Sequence, residues 1–244
     1  MKKTIIYIIV LFLILLVIKT IYTNIIFKEN MPVLAYHDVV KNPINETDMN
    51  IKQFEKQMKY LYNHNYKTLS IDEFYKFKKG KKISGKKVLL TFDDGDESFY
   101  KNVVPILKKY NFKATIFVIQ SAVDNKGYLT KDQLKELKNN KYIDVESHSY
   151  SIHNGDAANS KDYNIYNNDM KINKNNKYKY YAYPFGIQNN NYIKALKNNN
   201  YKLAFLYSPT KWTNINQDDY KITRVPIYKS NSLIKFIIKV SFKI

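Results

Sequence analysis

The sequence predicts an α/β fold in a single domain behind an N-terminal apolar helix. Of its 244 residues, 45% are hydrophobic and 25% are charged, a balance typical of a globular domain with a substantial core. Short apolar runs alternate with amphipathic stretches along the chain, and this alternation is typical of βα units around a parallel sheet. An uncharged apolar run, residues 5–18, precedes all of them.

The N-terminal run follows a basic MKK start and ends at Lys19. A basic start followed by an apolar core of about 7–15 residues is the pattern of a secretory signal. No small-x-small cleavage site follows. If the Lys19 side chain reaches the lipid headgroups, the apolar stretch continues to Phe27 and is long enough to span a bilayer. We therefore expect a membrane anchor over residues 1–27 with the domain, residues 28–244, at the extracellular face of the membrane. A cleaved signal and a secreted domain are the alternative.

Seven apolar runs have the length and the β-branched or aromatic content of strands. They are residues 33–37, 66–71, 86–92, 113–119, 142–148, 178–185 and 201–207. Seven strands suit a barrel with one strand missing or distorted, and an open doubly wound sheet would give a similar pattern. In both architectures active sites form where strands end and loops begin, so polar residues at strand ends are the candidates for chemistry.

Amphipathic stretches between these runs predict helices. FEKQMKYLYNHN places Phe54 and Met58 at helical spacing, and SIDEF and TKDQL each begin with a capping box. We expect His64, at the end of the first helix, on the surface. Residues 155–177 are rich in asparagine and weakly periodic, so we expect a loop with at most a short helix around 165–172. The C-terminal SLIKFIIKVSFKI predicts a helix that either packs on the domain or lies on a membrane.

The formal net charge of +19 does not indicate a nucleic-acid-binding protein. Almost all of the positive charge is lysine scattered along the chain, and Arg224 is the only arginine. Base readers and phosphate clamps rely on the bidentate geometry of arginine. Lysine, asparagine, isoleucine and tyrosine are all abundant, as in an AT-rich coding sequence, so we attribute the charge to that bias together with tolerance for an anionic surface such as membrane lipid or an acidic envelope polymer. Because the chain has no cysteine, any metal must be held by histidine, carboxylate or water.

Two polar motifs follow predicted strands. TFDDG places Asp93 and Asp94 next to a glycine that permits a turn, so both carboxylates can face one site. Adjacent buried carboxylates repel each other unless a cation separates their roles, although Asp-Asp-Gly is also an ordinary turn sequence. In VESHSYSIHN, His148 and His153 are five residues apart, which does not put them on one helix face. They converge from a loop, or they are simply part of a strand end that runs into polar residues.

Together, the two imidazoles and a carboxylate with open positions form the ligand set of a catalytic metal site. A cation held there would lower the pKa of bound water from about 15.7 toward about 7. The ligand set fits a divalent ion, with zinc as our first expectation and nickel, cobalt or iron(II) as alternatives.

TFDDG, SHSYSIH and AYPFG, in this order on alternating strands, resemble the motifs of the polysaccharide deacetylases of carbohydrate esterase family 4. LAYHD, FEKQMKYL and the histidine spacing are similar to the branch that acts on poly-β-1,6-N-acetylglucosamine. The resemblance covers residues 32–228 and implies a distorted (β/α)7 barrel. It also implies metal-dependent removal of N-acetyl groups from a cell-surface N-acetylglucosamine polymer, in exopolysaccharide or biofilm maturation. Peptidoglycan or chitin-type deacetylation, or a non-catalytic glycan-binding surface anchor, are the alternatives.

The resemblance further implies a role for individual residues. The expected roles are general base for Asp93, general acid for His37, metal ligand for Asp94, His148 and His153, and oxyanion donor for the backbone N–H of Phe185.

Three other residues are candidate substrate-binding residues: Tyr183, Pro184 and Trp212, of which Trp212 suits the core equally well. Most of the family has an arginine two residues before the motif proline, where this chain has Ala182. Arg224 is therefore a candidate to restrain Asp93, with a purely structural salt bridge as the alternative.

Overall fold

Seven parallel strands close into a ring in the computed structural model, which describes residues 2–207 and 212–242. Each strand pairs with the strands before and after it in the chain, and the last pairs with the first. The strands are β1 (Val33–Tyr36), β2 (Lys87–Phe92), β3 (Ala114–Val118), β4 (Ile143–Ser147), β5 (Tyr180–Ala182), β6 (Leu203–Tyr207) and β7 (Ile222–Pro226). The fold is the predicted (β/α)7 barrel, and it is distorted because β4 and β5 share only the pair Ser147–Tyr181.

Helices surround the ring. They are α1 (Lys2–Glu29), α2 (Ile51–Asn63), α3 (Ile71–Lys78), α4 (Val104–Lys109), α5 (Lys131–Lys138), α6 (Gly155–Ala158), α7 (Tyr163–Ile172), α8 (Asn190–Asn198) and α9 (Leu233–Ser241). The predicted capping boxes of α3 and α5 are present, and each satisfies N–H groups that the first helical turn leaves free. His64 lies exposed at the end of α2, as expected.

The strand predicted at 66–71 is not part of the ring. Only Lys67–Thr68 is extended, and it pairs with the start of β2. The end of the run begins α3 instead: the Ser70 side chain caps the helix by accepting a hydrogen bond from the backbone N–H of Glu73, and Ile71 is the first helical residue.

The seventh ring strand is β7, which the sequence analysis missed. Its sequence, ITRVP, carries an arginine and a proline, and neither residue is typical of a buried strand. Arg224 is nevertheless fully buried because a carboxylate inside the barrel pairs with it. Pro226 is tolerated because it is the last residue of the strand.

Residues 155–177 are more helical than predicted. They contain α6 and α7, and a 3₁₀ turn, Asn173–Asn176, follows. Asp162 caps α7 by accepting from the Asn164 backbone N–H. The buried face of α7 uses tyrosine, and the ring of Tyr166 stacks on that of Tyr192 of α8 at 3.9 Å. The short helix predicted around 165–172 is present as α7, whereas α6 and the 3₁₀ turn were not predicted, because this asparagine-rich stretch has little apolar periodicity.

The side chains inside the barrel change from apolar to polar toward the carboxyl ends of the strands. Successive inward positions of β2 and its following turn are Leu89, Thr91 and Asp93, because alternate strand residues share a face. In β7 the inward positions change in the same way, from the apolar Ile222 to the charged Arg224. The apolar layer closes the amino end of the barrel, and the polar layer faces the opposite end.

The N-terminal helix meets the amino end of the barrel. Within the described residues, one helix is long and apolar enough to cross a membrane, and it is α1. Most of α1 is exposed, but Phe27 is buried against the Trp212 ring, with 4.9 Å between ring centroids. The C-terminal α9 packs on the domain through Phe236 and Val240, whereas its other face remains apolar and exposed.

Candidate active site

A cavity of about 320 Å³ opens at the carboxyl ends of the strands. This is the end of a barrel where loops assemble active sites, and the volume suits a small ligand or one sugar residue. Its lining residues are His37, Thr47, Asp94, His148, His153, Phe185, Tyr207, Pro226, Ile227 and Tyr228. The structure therefore brings five of the ten predicted site residues to one cavity: His37, Asp94, His148, His153 and Phe185.

The turn after β2 directs two successive carboxylates to this site. Asp94 adopts φ 72°, a left-handed conformation that is uncommon for a residue with a side chain. Gly95 follows with φ 89°, and a Cβ added there would lie 3.0 Å from Val118 Cγ1. Only glycine fits this position. The two left-handed residues reverse the chain, so that Asp94 reaches the cavity although it is adjacent to the inward-facing Asp93.

Asp94, His148 and His153 converge in the cavity, and their candidate ligand atoms all lie within 4.8 Å of one another. Asp94 Oδ1 is 3.4 Å from His148 Nε2 and 3.1 Å from His153 Nε2. His148 is buried at the end of β4, whereas His153 is partly exposed at the cavity rim. The loop after β4 carries both imidazoles, and Ser149, with φ 79°, begins that loop.

The hydrogen bonds of this group fit a bound cation. His148 Nδ1 lies 2.9 Å from the carbonyl oxygen of Ala182, which can only accept, so Nδ1 carries the proton. In the neutral ring, Nε2 then presents a lone pair to Asp94 Oδ1. That carboxylate oxygen is buried and has no well-aligned donor among the described residues. Two acceptors face each other, and a cation between them would satisfy both.

The electrostatics of the cavity also favour positive charge. Burial alone would raise the pKa of Asp94, but the two histidines outweigh it and hold that pKa below its usual range. Burial also opposes protonation of His148, yet the Asp93 and Asp94 carboxylates raise its pKa. Asp96, two residues after Asp94, is in the same negative electrostatic environment. Burial and repulsion from Asp94 and other carboxylates raise its pKa to about 8.

Asp93 lies on the other side of the same turn and is bound entirely by protein groups. Arg224 Nη1 donates to Asp93 Oδ1 at 2.7 Å, and Nη2 donates to Oδ2 at 2.8 Å. The Tyr207 hydroxyl donates to Oδ2 at 2.8 Å and lies 2.7 Å from His37 Nε2. Burial alone would raise the pKa of Asp93, but the Arg224 guanidinium outweighs it and lowers that pKa to about 2.

Comparison with known proteins identifies the family of the chain. Residues 80–204 match the family model described as polysaccharide deacetylase. The chain is 30% identical over 245 residues to a poly-β-1,6-N-acetyl-D-glucosamine N-deacetylase of Staphylococcus aureus (strain MSSA476), covering 87% of this chain and 83% of the relative. The chain belongs to the polysaccharide deacetylase family. This deacetylase is therefore a hydrolase that acts on carbon–nitrogen bonds other than peptide bonds.

Two further proteins are similar to this deacetylase. One is the enzyme of the same name from Staphylococcus epidermidis, which is 29% identical over 243 residues, covering 87% of this chain and 83% of the relative. The other is the Streptococcus pyogenes deacetylase PplD, whose structure was solved in complex with acetate. It superposes with a TM-score of 0.78 at 26% identity and covers 87% of this chain and 99% of that one.

The YPFG loop of the deacetylase reaches the cavity through one residue. Phe185 adopts φ 57°, its side chain is half-exposed, and its ring lies 4.8 Å from that of His153. Tyr183 and Pro184 are buried and do not line the cavity, because the Tyr183 hydroxyl donates inward to the carbonyl of Tyr220. Of the predicted residues in this loop, Phe185 is therefore the one at the cavity, and Tyr183 and Pro184 lie beneath it.

Trp212, the third predicted substrate-binding residue, does not line the cavity either. It is buried at the amino end of the barrel, next to Phe27, and its Nε1 donates to the carbonyl of Lys239 at 2.7 Å. The alternative prediction for Trp212, a core residue, is the one that its surroundings support.

Tyr207 and Asp169 support the site through hydrogen bonds, and neither residue was predicted. Tyr207 is the last residue of a predicted strand, so the rule that chemistry lies at strand ends pointed to its position. Asp169 had no such signal, because it lies in the segment that was expected to be mostly loop. Its buried carboxylate accepts hydrogen bonds from the backbone of the loop that joins His148 to His153.

Proposed function

We propose that the deacetylase removes N-acetyl groups from a cell-surface poly-β-1,6-N-acetylglucosamine and releases acetate, with a divalent cation bound at Asp94, His148 and His153. One observation carries the proposal: a carboxylate and two imidazoles converge at a cavity beside a second, independently bound carboxylate. The name of the staphylococcal relatives, at 30% and 29% identity, supports the choice of polymer. Maturation of a biofilm exopolysaccharide is the proposed setting.

Asp94, His148 and His153 would hold the cation. Two imidazoles and one carboxylate leave positions open for water and substrate, as catalytic sites do, and zinc is the first expectation for this set. When bound, the cation would lower the pKa of water and polarise the acetyl carbonyl. The Nδ1 hydrogen bond of His148 to Ala182 fixes the ring orientation that such ligation requires.

Asp93 is the proposed general base. Its carboxylate stays ionised because its pKa is about 2, and Arg224 holds both of its oxygens in a fixed orientation. In this role it accepts a proton from the attacking water. Arg224 thus serves as the restraining residue that the family sequence pattern places elsewhere.

His37 is the proposed general acid. The ionised Asp93 can only accept, so the Tyr207 hydroxyl donates its hydrogen bond to Asp93 and turns a lone pair toward His37 Nε2. His37 therefore carries a proton on Nε2. That proton is available to the amine when the amide bond breaks.

The remaining contacts to the substrate come from the cavity rim. The Phe185 backbone N–H is the proposed donor to the oxyanion that develops on the acetyl group. The exposed face of the Phe185 ring and the Ile227 and Tyr228 side chains offer an apolar surface for a sugar ring.

We also propose that residues 1–27 anchor the catalytic domain, residues 28–244, at the extracellular face of the membrane. The apolar length of α1 supports the anchor. Its attachment to the amino end of the barrel would turn the cavity away from the bilayer, toward a polymer outside the cell.

An acetate-release assay on defined oligosaccharides tests the proposed function. We expect release from β-1,6-linked N-acetylglucosamine oligomers, loss of release after the metal is stripped, and recovery when zinc is added back. Faster release from β-1,4-linked oligomers would favour a peptidoglycan or chitin-type substrate. Release on every oligomer that equals that of the metal-stripped control would contradict the proposal and favour the non-catalytic alternative.

A further inference from the structure

One carboxylate accepts three hydrogen bonds from the loop that joins the two histidines. Asp169 of α7 is 5% exposed, and its Oδ2 accepts from the Tyr150 N–H at 2.8 Å. Its Oδ1 accepts from the N–H groups of Ser151, at 2.8 Å, and Ile152, at 3.3 Å. These three donors are consecutive and lie between His148 and His153.

Three converging N–H groups bind a carboxylate more strongly than any neutral acceptor, because each hydrogen bond is charge-assisted. The loop itself begins with Ser149 in a left-handed conformation, so its own backbone preference does not hold it in place. Asp169 offsets that strain from outside the loop. The carboxylate touches neither the cavity nor the candidate ligand atoms.

We propose that Asp169 is a positioning residue that preorganises the histidine loop for cation binding. It fixes the backbone between the two imidazoles, so that His148 and His153 already face Asp94 before a cation arrives. This proposal rests on the proposed metal site. Because it concerns cation affinity, it is tested separately from turnover.

The test measures zinc binding to the metal-stripped full-length chain by calorimetry. In Asp169→Asn one acceptor oxygen becomes an NH₂ group that faces a backbone N–H, and we expect zinc affinity to fall about 10- to 100-fold. Asp144→Asn is the matched control, since Asp144 also accepts a backbone N–H, from Ile71 at 2.8 Å, but lies far along β4 from the cavity. Unchanged zinc affinity in Asp169→Asn, or an equal loss in Asp144→Asn, would overturn the proposal.

A measurement on the unaltered chain covers the case in which Asp169→Asn does not fold. The amide hydrogens of Tyr150, Ser151 and Ile152 should exchange slowly in the metal-free chain, because the carboxylate already holds them. Fast exchange that slows only when zinc is added would show that the cation orders the loop, and Asp169 would then have no preorganising role. Absence of zinc binding by the unaltered chain would instead refute the proposed metal site.

A second inference concerns a cavity of about 310 Å³ at the opposite end of the molecule, beside α1. Lys19 of α1 and Lys86, just before β2, line it together with Tyr60, Tyr66 and Phe242. Among the described residues, no acidic side chain pairs with either lysine.

The surroundings of this cavity resemble a membrane–water interface. Phe242, which lines the cavity, is 51% exposed, and Ile238 of α9, four residues earlier in the chain, is 40% exposed. Tyrosine and lysine at the end of an apolar helix are typical of the headgroup layer. Lys19 stands where the uncharged run of α1 ends.

We infer that this cavity binds the phosphate of an anionic phospholipid between Lys19 and Lys86, with Ile238 and Phe242 in the acyl boundary. The inference rests on the proposed anchor role of α1. Occupancy by lipid would seat the amino end of the barrel on the membrane and keep the catalytic cavity outward.

The probes are short-chain phosphatidylglycerol, short-chain phosphatidylcholine and inorganic phosphate, each added to the full-length chain in neutral detergent. We expect phosphatidylglycerol to raise the melting temperature more than the other two. The variant K19Q/K86Q should bind it about tenfold more weakly, whereas K161Q/K171Q, which removes two exposed lysines elsewhere, should not. The inference would be overturned if phosphatidylcholine or free phosphate raised the melting temperature as much as phosphatidylglycerol does. It would also be overturned if both variants lost the same binding of phosphatidylglycerol. Acetate release in the same samples reports separately on the deacetylase.

Discussion

The two adjacent carboxylates at the end of β2 belong to different halves of the site. One half consists of Asp93, Arg224, Tyr207 and His37, and the protein supplies every hydrogen-bond donor to its carboxylate. The other half consists of Asp94, His148 and His153, where a buried carboxylate oxygen lacks a well-aligned donor among the described residues. The left-handed conformations of Asp94 and Gly95 direct the two neighbouring carboxylates into these different environments.

The comparison shows how one turn can hold two like charges a residue apart. A permanent cation, the guanidinium of Arg224, neutralises Asp93, so that carboxylate remains ionised and oriented. Asp94 instead faces the imidazoles of His148 and His153, which have no permanent charge. Its own charge can therefore be balanced by a proton on an imidazole or by a metal ion. The first half is therefore suited to proton transfer, and the second to binding a cation.

The largest expected effect is that of Asp94→Asn. The amide keeps the shape of the side chain but removes the charge that faces both imidazoles. We expect zinc binding to be lost and acetate release to fall to the level of the metal-stripped enzyme. Calorimetry and the acetate assay measure the two quantities. If zinc binds this variant as tightly as the unaltered chain, the assignment of the metal half is wrong.

Asp93→Asn should reduce turnover without changing zinc affinity, because it alters only the first half of the site. Because no ligand atom changes, zinc affinity should remain close to that of the unaltered chain. Acetate release should fall by about 10²- to 10⁴-fold, since a positioned base is lost. Undiminished turnover would refute the role of Asp93 as base, and a loss of zinc affinity as large as that of Asp94→Asn would show that the halves are not independent.

Arg224→Gln tests how the first half is held together. Removing the guanidinium leaves a buried carboxylate without its partner, so the free energy of unfolding should fall by about 3–5 kcal/mol. The largest influence that opposes burial would then be lost, and only the smaller effects of His148 and His37 would remain, so the pKa of Asp93 should rise and the acidic limb of turnover should move to higher pH. Urea unfolding and a pH profile measure these changes.

A double variant, D93N/R224Q, is the control for this interpretation. It removes both members of the pair, so it should be destabilised by less than the sum of the two single variants. Additive losses would mean that the two side chains do not stabilise each other.

Tyr207→Phe should have the smallest effect on turnover. The substitution removes one hydroxyl that bridges Asp93 and His37, and leaves the Arg224 pair and the metal half intact. We expect turnover to fall about 10-fold, as for one hydrogen bond to a charged group, with zinc affinity unchanged. A fall as large as that of Asp93→Asn would make Tyr207 a catalytic residue in its own right.

The sequence was sufficient for the features that depend on near neighbours. The α/β alternation, the capping boxes of α3 and α5, the turn at Asp93 and Asp94, and the length of α1 all follow from local patterns. The spacing of His148 and His153 required a loop, and the structure has one there. These features depend on residues close together in the chain, whose geometry local backbone preference determines.

Other features depended on partners far away in the chain. Arg224 lies in a strand that its own sequence does not indicate, and it is buried only because Asp93, 131 residues earlier, balances its charge. Asp169 contacts the histidine loop because α7 packs on the domain through tyrosines. Trp212 lies at the far end of the barrel because Phe27 of α1 packs against it there.

By itself, then, the sequence determined which residues could do chemistry and at which end of the strands they would lie. Closure of the barrel decided which of them meet, because a side chain's charge, exposure and hydrogen bonds are set by neighbours that only the folded chain brings within a few ångströms of it.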